Sequence, residues 1–288
     1  MDGSVRNPVL RWLIYGHVWV ALAVGAQSWW TSLFLHEGAL ARRYALAATL
    51  GGFAAYGVTR LARMGTKEAH EYANLKWYKA NQRTMYVLVG LAGAAAFLLM
   101  WPLWPRIWTI MLPMAALTFF YVTPFTFRGR GIGLREVPFL KALLIAVVWS
   151  VVAVAVPMRL DPVEQAPMAI IGFTCMRVPL ILALAILFDI RDQPTDDPAL
   201  RTVPLVFGVR GAKIVAFVLL AISALFDVVF LHGLGYTAAA LTILVGYTFG
   251  FVLTVLAKPV RDAVFYAILV DGVMIAVPLC GWVGVVLG

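Results

Sequence analysis

Three aspartates carry the most specific chemistry in this 288-residue sequence. Asp189, Asp192 and Asp196 follow one another at spacings i, i+3 and i+7, which share one face when the chain is helical. Like charges stacked in this way repel, so the arrangement is favourable mainly when a cation lies among them. Carboxylate oxygens without histidine or cysteine suit a hard cation such as Mg²⁺, which also bridges to substrate phosphates.

A solvated acidic turn explains the same aspartates without any ligand. Thr195, Asp196 and Asp197 are all good N-cap residues for a following helix. Pro194 predicts that the helix breaks after Asp192, so that Asp196 returns from a loop. The spacing alone leaves the metal site and the acidic turn open as alternatives.

The elements that position these aspartates must be membrane helices. The sequence is 62% hydrophobic and only 13% charged, about half of the roughly 25% charged residues usual in a soluble domain. Nine apolar runs reach the roughly 20 residues that a bilayer requires. We therefore predict an all-α integral membrane protein with nine transmembrane helices and a single membrane domain over residues 1–288. The runs lie near Leu10–Leu35, Tyr44–Leu61, Met85–Trp101, Ile107–Val122, Leu140–Val156, Met168–Phe188, Ile214–Leu231, Thr237–Leu256 and Phe265–Leu287.

Lysine and arginine gather in alternate loops of this predicted topology. Eighteen of them fall in the N-terminal segment and in the loops after spans two, four, six and eight, against four in the opposite loops. The positive-inside rule then places the N-terminus in the cytoplasm and the C-terminus outside, in what we expect to be a bacterial inner membrane. The long cytoplasmic loops cover about residues 62–84, 123–139 and 189–213. The net charge of +9 thus indicates an anionic membrane surface as partner, and no nucleic acid.

Two segments have motif-like residue patterns. The first, after span six, comprises Asp189-Ile190-Arg191-Asp192-x-x-x-Asp196, Arg201-Thr202-x-Pro204 and Gly208. The second, after span four, comprises Tyr121-Val122-Thr123-Pro124-Phe125-Thr126-Phe127-Arg128-Gly129-Arg130-Gly131, with Lys141 and Trp149 early in span five. The first segment resembles the second aspartate-rich motif of the UbiA prenyltransferase superfamily, and the second is similar to that family's Tyr-x-x-Pro segment with nearby basic residues.

The resemblance implies a fold, an activity and a set of site residues. Members have nine helices around a central cavity and bind Mg²⁺ through two aspartate motifs. The metal binds the diphosphate of an isoprenoid donor, whose isoprenyl group passes to a lipophilic acceptor, in some cases an aromatic one. Asp189, Asp192 and Asp196 would then be the catalytic and metal-binding residues. The implied diphosphate contacts are Tyr121, Arg128, Arg130 and Lys141.

The first aspartate motif of the family is missing from this sequence. Thr59 stands where asparagine is expected, and Arg60 and Arg63 stand where the aspartates should be. Guanidinium groups have donors and no acceptor, so they cannot ligate a cation. Three alternatives follow. Arg60 and Arg63 clamp the diphosphate directly, Glu68 or Glu71 serve as substitute ligands, or the protein keeps the fold without transferase chemistry.

Three charged residues lie inside predicted spans, more than one helical turn from either end. Arg177, Asp227 and Asp271 predict an interior ion pair between Arg177 and one of the two acids, because a lone charge in the bilayer is costly. His17 in span one is expected to be a hydrogen-bonded interior residue. Intramembrane pairs of this kind leave a membrane transporter open as an alternative function, beside a non-catalytic lipid- or isoprenoid-binding protein.

Overall fold

The computed structural model describes residues 5, 7–36, 38–64, 73–122, 125–127, 130–132, 137 and 139–288, and these are predominantly helical. The first helices are α1 (Pro8–Ile14), α2 (Val18–Ser32), α3 (Gly38–Arg63), α4 (Ala73–Ala80), α5 (Gln82–Met100) and α6 (Trp104–Val122). The later ones are α7 (Leu140–Ser150), α8 (Val156–Arg159), α9 (Pro167–Asp192), α10 (Val203–Gly233), α11 (Thr237–Leu256) and α12 (Asp271–Leu287). One π-helical segment, Val151–Ala155, joins α7 to α8, and another, Phe265–Val270, precedes α12.

The first predicted span is bent rather than straight. The side chain of Asn7 accepts hydrogen bonds from the amides that open α1, and Pro8 occupies its first position, where no amide donor is needed. His17 then adopts a left-handed conformation with φ of 58°. Helices α1 and α2 consequently meet at an angle of 54°.

The described helices support a multi-pass membrane protein, but not the count of nine spans. Six helical segments in this part of the chain are long and apolar enough to cross a membrane, or seven if α1 and α2 form one span. One of the six is a 39-residue segment, Gln82–Phe120, in which α5 and α6 follow each other through the 3₁₀ turn Trp101–Leu103. Helix α3 covers the second predicted span and is not among the six. The count of nine and the orientation stay predictions.

A small hairpin departs from the predicted all-α fold. Strands β1 (Phe125–Phe127) and β2 (Arg130–Ile132) pair antiparallel after α6, with Phe125 opposite Ile132. Aromatic and β-branched residues favour the extended conformation, which explains strands at this point of a loop.

Burial follows the pattern of a helix bundle in lipid. The largest core joins α9, α10, α11 and α12, and it includes Leu184, Leu220 and Val273, each of which is at most 2% exposed. Large apolar side chains also cover the outside, such as Leu98 and Ile214, which are 68% and 65% exposed. A soluble protein does not present so much contiguous apolar surface, so this exterior faces the bilayer.

Glycines at the contact between α11 and α12 allow the two backbones to pack closely. A Cβ atom added to Gly246 would lie 2.7 Å from the Cα of Val277, and one added to Gly284 would collide with Ala239. Because lipid tails are as apolar as side chains, membrane helices associate through this kind of close backbone packing.

We predict that Gly246→Ala destabilises the bundle by about 1–3 kcal/mol, the range for overpacking a closed interface. Thermal unfolding in detergent measures the effect. Gly172→Ala in α9 is the matched control, because no atom lies within 4 Å of its added Cβ. Equal unfolding temperatures for the two variants would contradict the close packing of α11 on α12.

Candidate functional site

The three predicted aspartates lie at the C-terminal end of α9 and in the turn that follows. Helix α9 ends at Asp192, and the amide of Asp196 donates to the carbonyl of Asp192 at 2.8 Å. The prediction that Asp196 returns from a loop is therefore confirmed. Asp197 takes the capping role instead, since its carboxylate accepts from an amide of the 3₁₀ helix Pro198–Leu200.

The ammonium of Lys141 lies among the three carboxylates. Its Nζ is 2.9 Å from Oδ1 of Asp189, 3.5 Å from Oδ2 of Asp196 and 4.0 Å from Oδ2 of Asp192. Lys141 comes from the first turn of α7, and its side chain is 13% exposed against 4% for Asp189. We call these four residues the aspartate cluster. The cation that the aspartate spacing requires is thus supplied by the chain itself.

A second cation, from Arg191, holds Asp192 from the other side. Nε of Arg191 donates to Oδ1 of Asp192 at 2.7 Å, and Nη2 donates to Oδ2 at 3.0 Å. The guanidinium also lies over the rings of Phe188 and Tyr266, at 4.9 and 5.7 Å from their centroids. Sequence reasoning gave Arg191 no role, although its place inside the aspartate motif was the available signal.

The donor set of the aspartate cluster suits Mg²⁺, whereas the observed arrangement holds an ammonium. Three carboxylates offer only oxygen ligands, the chemistry that Mg²⁺ prefers. In the described ranges, however, no three His, Cys, Asp or Glu side chains are placed so that they could hold a metal ion. A metal ion would take its place among these aspartates only after Lys141 withdrew.

A second polar cluster surrounds Arg60, where the family's first aspartate motif would stand. Nε of Arg60 donates to Nε2 of His17 at 3.2 Å, which confirms His17 as a hydrogen-bonded interior residue. The His17 ring lies 5.4 Å from that of Tyr56 and 6.0 Å from that of Tyr78. We call these four residues the Arg60 cluster.

Tyr78 brings an unsatisfied donor to the Arg60 cluster. Its side chain is fully buried, and its hydroxyl has no hydrogen-bond partner among the residues that the structure describes. Burial raises the pKa of Tyr78 to about 12, and the nearby positive charge of Arg60 opposes that rise. A buried hydroxyl without a partner beside a guanidinium suits the oxygen of an anionic ligand.

The two clusters lie at the same end of the bundle. The rings of Tyr56 on α3 and Trp149 on α7 face each other with centroids 6.4 Å apart. From that contact, α3 continues about 6 Å along its axis to Arg60, and α7 reaches back about 12 Å to Lys141, at about 1.5 Å per residue. The hydroxyl of Tyr44, earlier on α3, donates to the carbonyl of Val152, just after α7, at 3.0 Å. Helix α3 therefore runs antiparallel to α7, and Arg60 lies in the same direction from the contact as Lys141.

The remaining predicted site residues are only partly described. The structure gives the backbone of Arg63 at the end of α3, of Tyr121 near the end of α6 and of Arg130 in β2, but not their side chains. Arg128 lies outside the described residues, as do the two alternative ligands Glu68 and Glu71. The roles expected of these residues stay predictions.

Comparison with known proteins identifies the fold. No protein-family model matches the sequence, and no curated protein matches it significantly. The structure is similar to the apo structure of a UbiA homolog from Aeropyrum pernix K1, with a TM-score of 0.59 and 14% sequence identity. The similarity covers 94% of this chain and 97% of that one. The chain therefore has the UbiA fold.

We predict that Lys141→Met lowers the free energy of unfolding at neutral pH by about 3 kcal/mol, because it leaves buried carboxylates without their cation. Protonation removes the repulsion between carboxylates, so the difference from wild type should shrink as the pH falls. Thermal unfolding across a pH series measures it, with Lys79→Met at an exposed lysine as the control. A constant difference at all pH values would contradict the ion pairs.

The Lys141→Met variant also tests whether the three carboxylates can bind Mg²⁺. If the three carboxylates suit Mg²⁺, millimolar Mg²⁺ should restore the stability of Lys141→Met and leave that of Lys79→Met unchanged. Equal responses of the two variants to Mg²⁺ would show that the carboxylates do not bind it.

Proposed function

We propose that this UbiA-fold chain binds the diphosphate of an isoprenyl donor between its aspartate and Arg60 clusters and, with Mg²⁺, transfers the isoprenyl group to a lipophilic acceptor. The observation that carries the proposal is the convergence of Asp189, Asp192 and Asp196 on the Lys141 ammonium at one end of a UbiA-fold bundle. Buried carboxylates and cations gathered at one site are typical of functional positions.

Lys141 is the residue that links the observed state to substrate binding. In the proposed bound state its ammonium leaves the carboxylates and binds a diphosphate oxygen as a compact point charge. Asp189, Asp192 and Asp196 would then hold the Mg²⁺ ion, which supplies neutralising charge to the departing diphosphate. The exchange keeps the carboxylates paired with a cation throughout, as their burial requires.

In the proposal, the Arg60 cluster takes over the diphosphate-binding role of the missing first aspartate motif. Arg60 supplies positive charge where the family has carboxylates, and the hydroxyl of Tyr78 supplies a donor without a partner in the described structure. Both act on the diphosphate directly, which corresponds to the clamp that the sequence suggested for Arg60 and Arg63. The positive-inside pattern of the sequence supports a cytoplasmic location for this end, and in the proposal the apolar donor tail and the acceptor arrive through the bilayer.

A non-catalytic isoprenoid-binding protein is the second candidate. Lys141 and Arg191 already neutralise most of the carboxylate charge without any ligand, as they would in a purely structural ion-pair cluster. In that case the UbiA fold would hold an apolar chain, while the ion pairs would join the last turn of α9 to the first turn of α7.

We predict that Asp196→Asn weakens the Mg²⁺-dependent binding of geranyl diphosphate by at least about tenfold, since it removes a charged ligand. Equilibrium dialysis of the protein in lipid nanodiscs measures the affinity. Asp197→Asn is the matched control, because Asp197 caps a 3₁₀ helix and asparagine caps equally well. If both variants bind as wild type does, the aspartate cluster is not the diphosphate site.

Turnover separates the two candidate functions. Incubation of the wild-type protein with radiolabelled geranyl diphosphate, Mg²⁺ and a bacterial lipid extract should release diphosphate and move the label into lipid. Asp192→Asn should abolish both. Tight binding with no released diphosphate would instead establish the non-catalytic alternative.

A further inference from the structure

A cavity lies at the end of the bundle opposite the aspartate cluster. It has a volume of about 230 Å³ and lies between α2, α9 and α10. Arg177, which lines it, precedes Asp189 by 12 residues on α9, or about 18 Å at about 1.5 Å per residue. The cavity is therefore separate from the proposed diphosphate site.

One boundary of this cavity carries the predicted intramembrane ion pair. Nη1 of Arg177 donates to Oδ2 of Asp227 at 3.2 Å, and Nη2 donates to Oδ1 at 3.3 Å. The hydroxyl of Tyr247 donates to Oδ2 of Asp227 at 2.6 Å and is itself 2.9 Å from the hydroxyl of Ser223. The structure thus selects Asp227 rather than Asp271 as the partner of Arg177. The pair is neutral and both of its residues line the cavity. A guanidinium has five N–H donors and a carboxylate has about four acceptor sites, so each has hydrogen-bonding capacity beyond the bonds described.

Aromatic rings form the walls. The rings of Trp30 and Phe34 meet edge to face at 4.9 Å, those of Phe34 and Phe230 at 5.8 Å, and those of Phe173 and Phe230 at 4.9 Å. Such an arrangement leaves ring faces and edges available to a further aromatic ring, which is attracted in either geometry. Phe226 lines the same cavity.

Two polar residues that line the cavity are anchored by a buried carboxylate. His36 and Gln165 line the cavity and bind the carboxylate of Asp161, with Nδ1 of His36 at 3.2 Å and Nε2 of Gln165 at 3.0 Å from Oδ2. Burial raises the pKa of Asp161, but these hydrogen bonds and one from the amide of Val163 outweigh it and hold the pKa below its usual value. The carboxylate itself has no exposed side-chain surface, so it holds the two lining side chains in place without contacting the cavity.

We propose that this cavity binds a neutral aromatic alcohol, with its ring between the phenylalanines and its hydroxyl on the Arg177–Asp227 pair. A hydroxyl matches that pair, because it accepts from the guanidinium and donates to the carboxylate. A charged ligand would lose its hydration on entering the cavity, and the ion pair, which is already neutral, would not compensate its charge. A ligand without a polar group would form no hydrogen bond with the ion pair. The site does not depend on the function proposed above.

The probe for this site is 1-naphthol, measured by equilibrium dialysis on the full chain in nanodiscs against empty nanodiscs. The expected result is saturable binding of one molecule per chain beyond partition into lipid. Naphthalene, which lacks the hydroxyl, and 1-naphthoate, which is anionic, should each bind at least about tenfold more weakly. Naphthol that merely partitions into lipid, or naphthalene that binds equally well, would overturn the proposal.

Two methionines of α9 provide matched variants. Met176→Trp fills the cavity, which Met176 lines, and should abolish saturable naphthol binding. Met168→Trp makes the same change at a side chain that is 76% exposed and outside the cavity, and it should bind as wild type does. Equal binding by both variants would overturn the assignment. The unfolding temperature of the wild-type protein provides a test that needs no variant. We expect 1-naphthol to raise it more than naphthalene does. Equal shifts would overturn the proposal.

Discussion

The ammonium of Lys141, held among three aspartates, is the contact on which the aspartate end of the bundle depends. Carboxylates that leave water at the end of a membrane helix require a cation within reach. The chain meets this requirement by bringing the first turn of α7 against the last turn of α9. The break after Asp192 then allows Asp196 to return to the same ammonium. Arg191 completes the charge balance from within the motif.

The pairing of these carboxylates with Lys141 also limits which ligands could bind at this site. A site whose carboxylates already hold a lysine accepts a metal ion only when the lysine receives another anion. Under the proposed function, a diphosphate with its metal would offer both partners at once, so the ion pairs would favour the two together over either alone. The cavity beside Arg177 and Asp227 follows the opposite rule, because its neutral ion pair and aromatic walls favour an uncharged ligand. In the two proposals, the two ends of one bundle thus differ in the charge of the ligand that they bind.

Local rules predicted a considerable part of this structure from the sequence. Apolar runs predicted the helices, Pro194 predicted the break before Asp196, and the cost of a lone intramembrane charge predicted a partner for Arg177. The partners of Lys141 were not predictable in this way, because they depend on the register of α7 against α9, which no local pattern contains. The bend at His17 was missed because positive φ is uncommon for residues other than glycine, and no local pattern in the sequence marks it.

A double-mutant cycle between Lys141 and Asp189 tests the central interaction most directly. The free energy of unfolding is measured for wild type, Lys141→Met, Asp189→Asn and the double variant. The structure predicts that the double variant is more stable than the sum of the single effects implies, with a coupling energy above about 1 kcal/mol. Additive effects, with a coupling energy near zero, would show that Lys141 does not hold the aspartates together and would contradict the account.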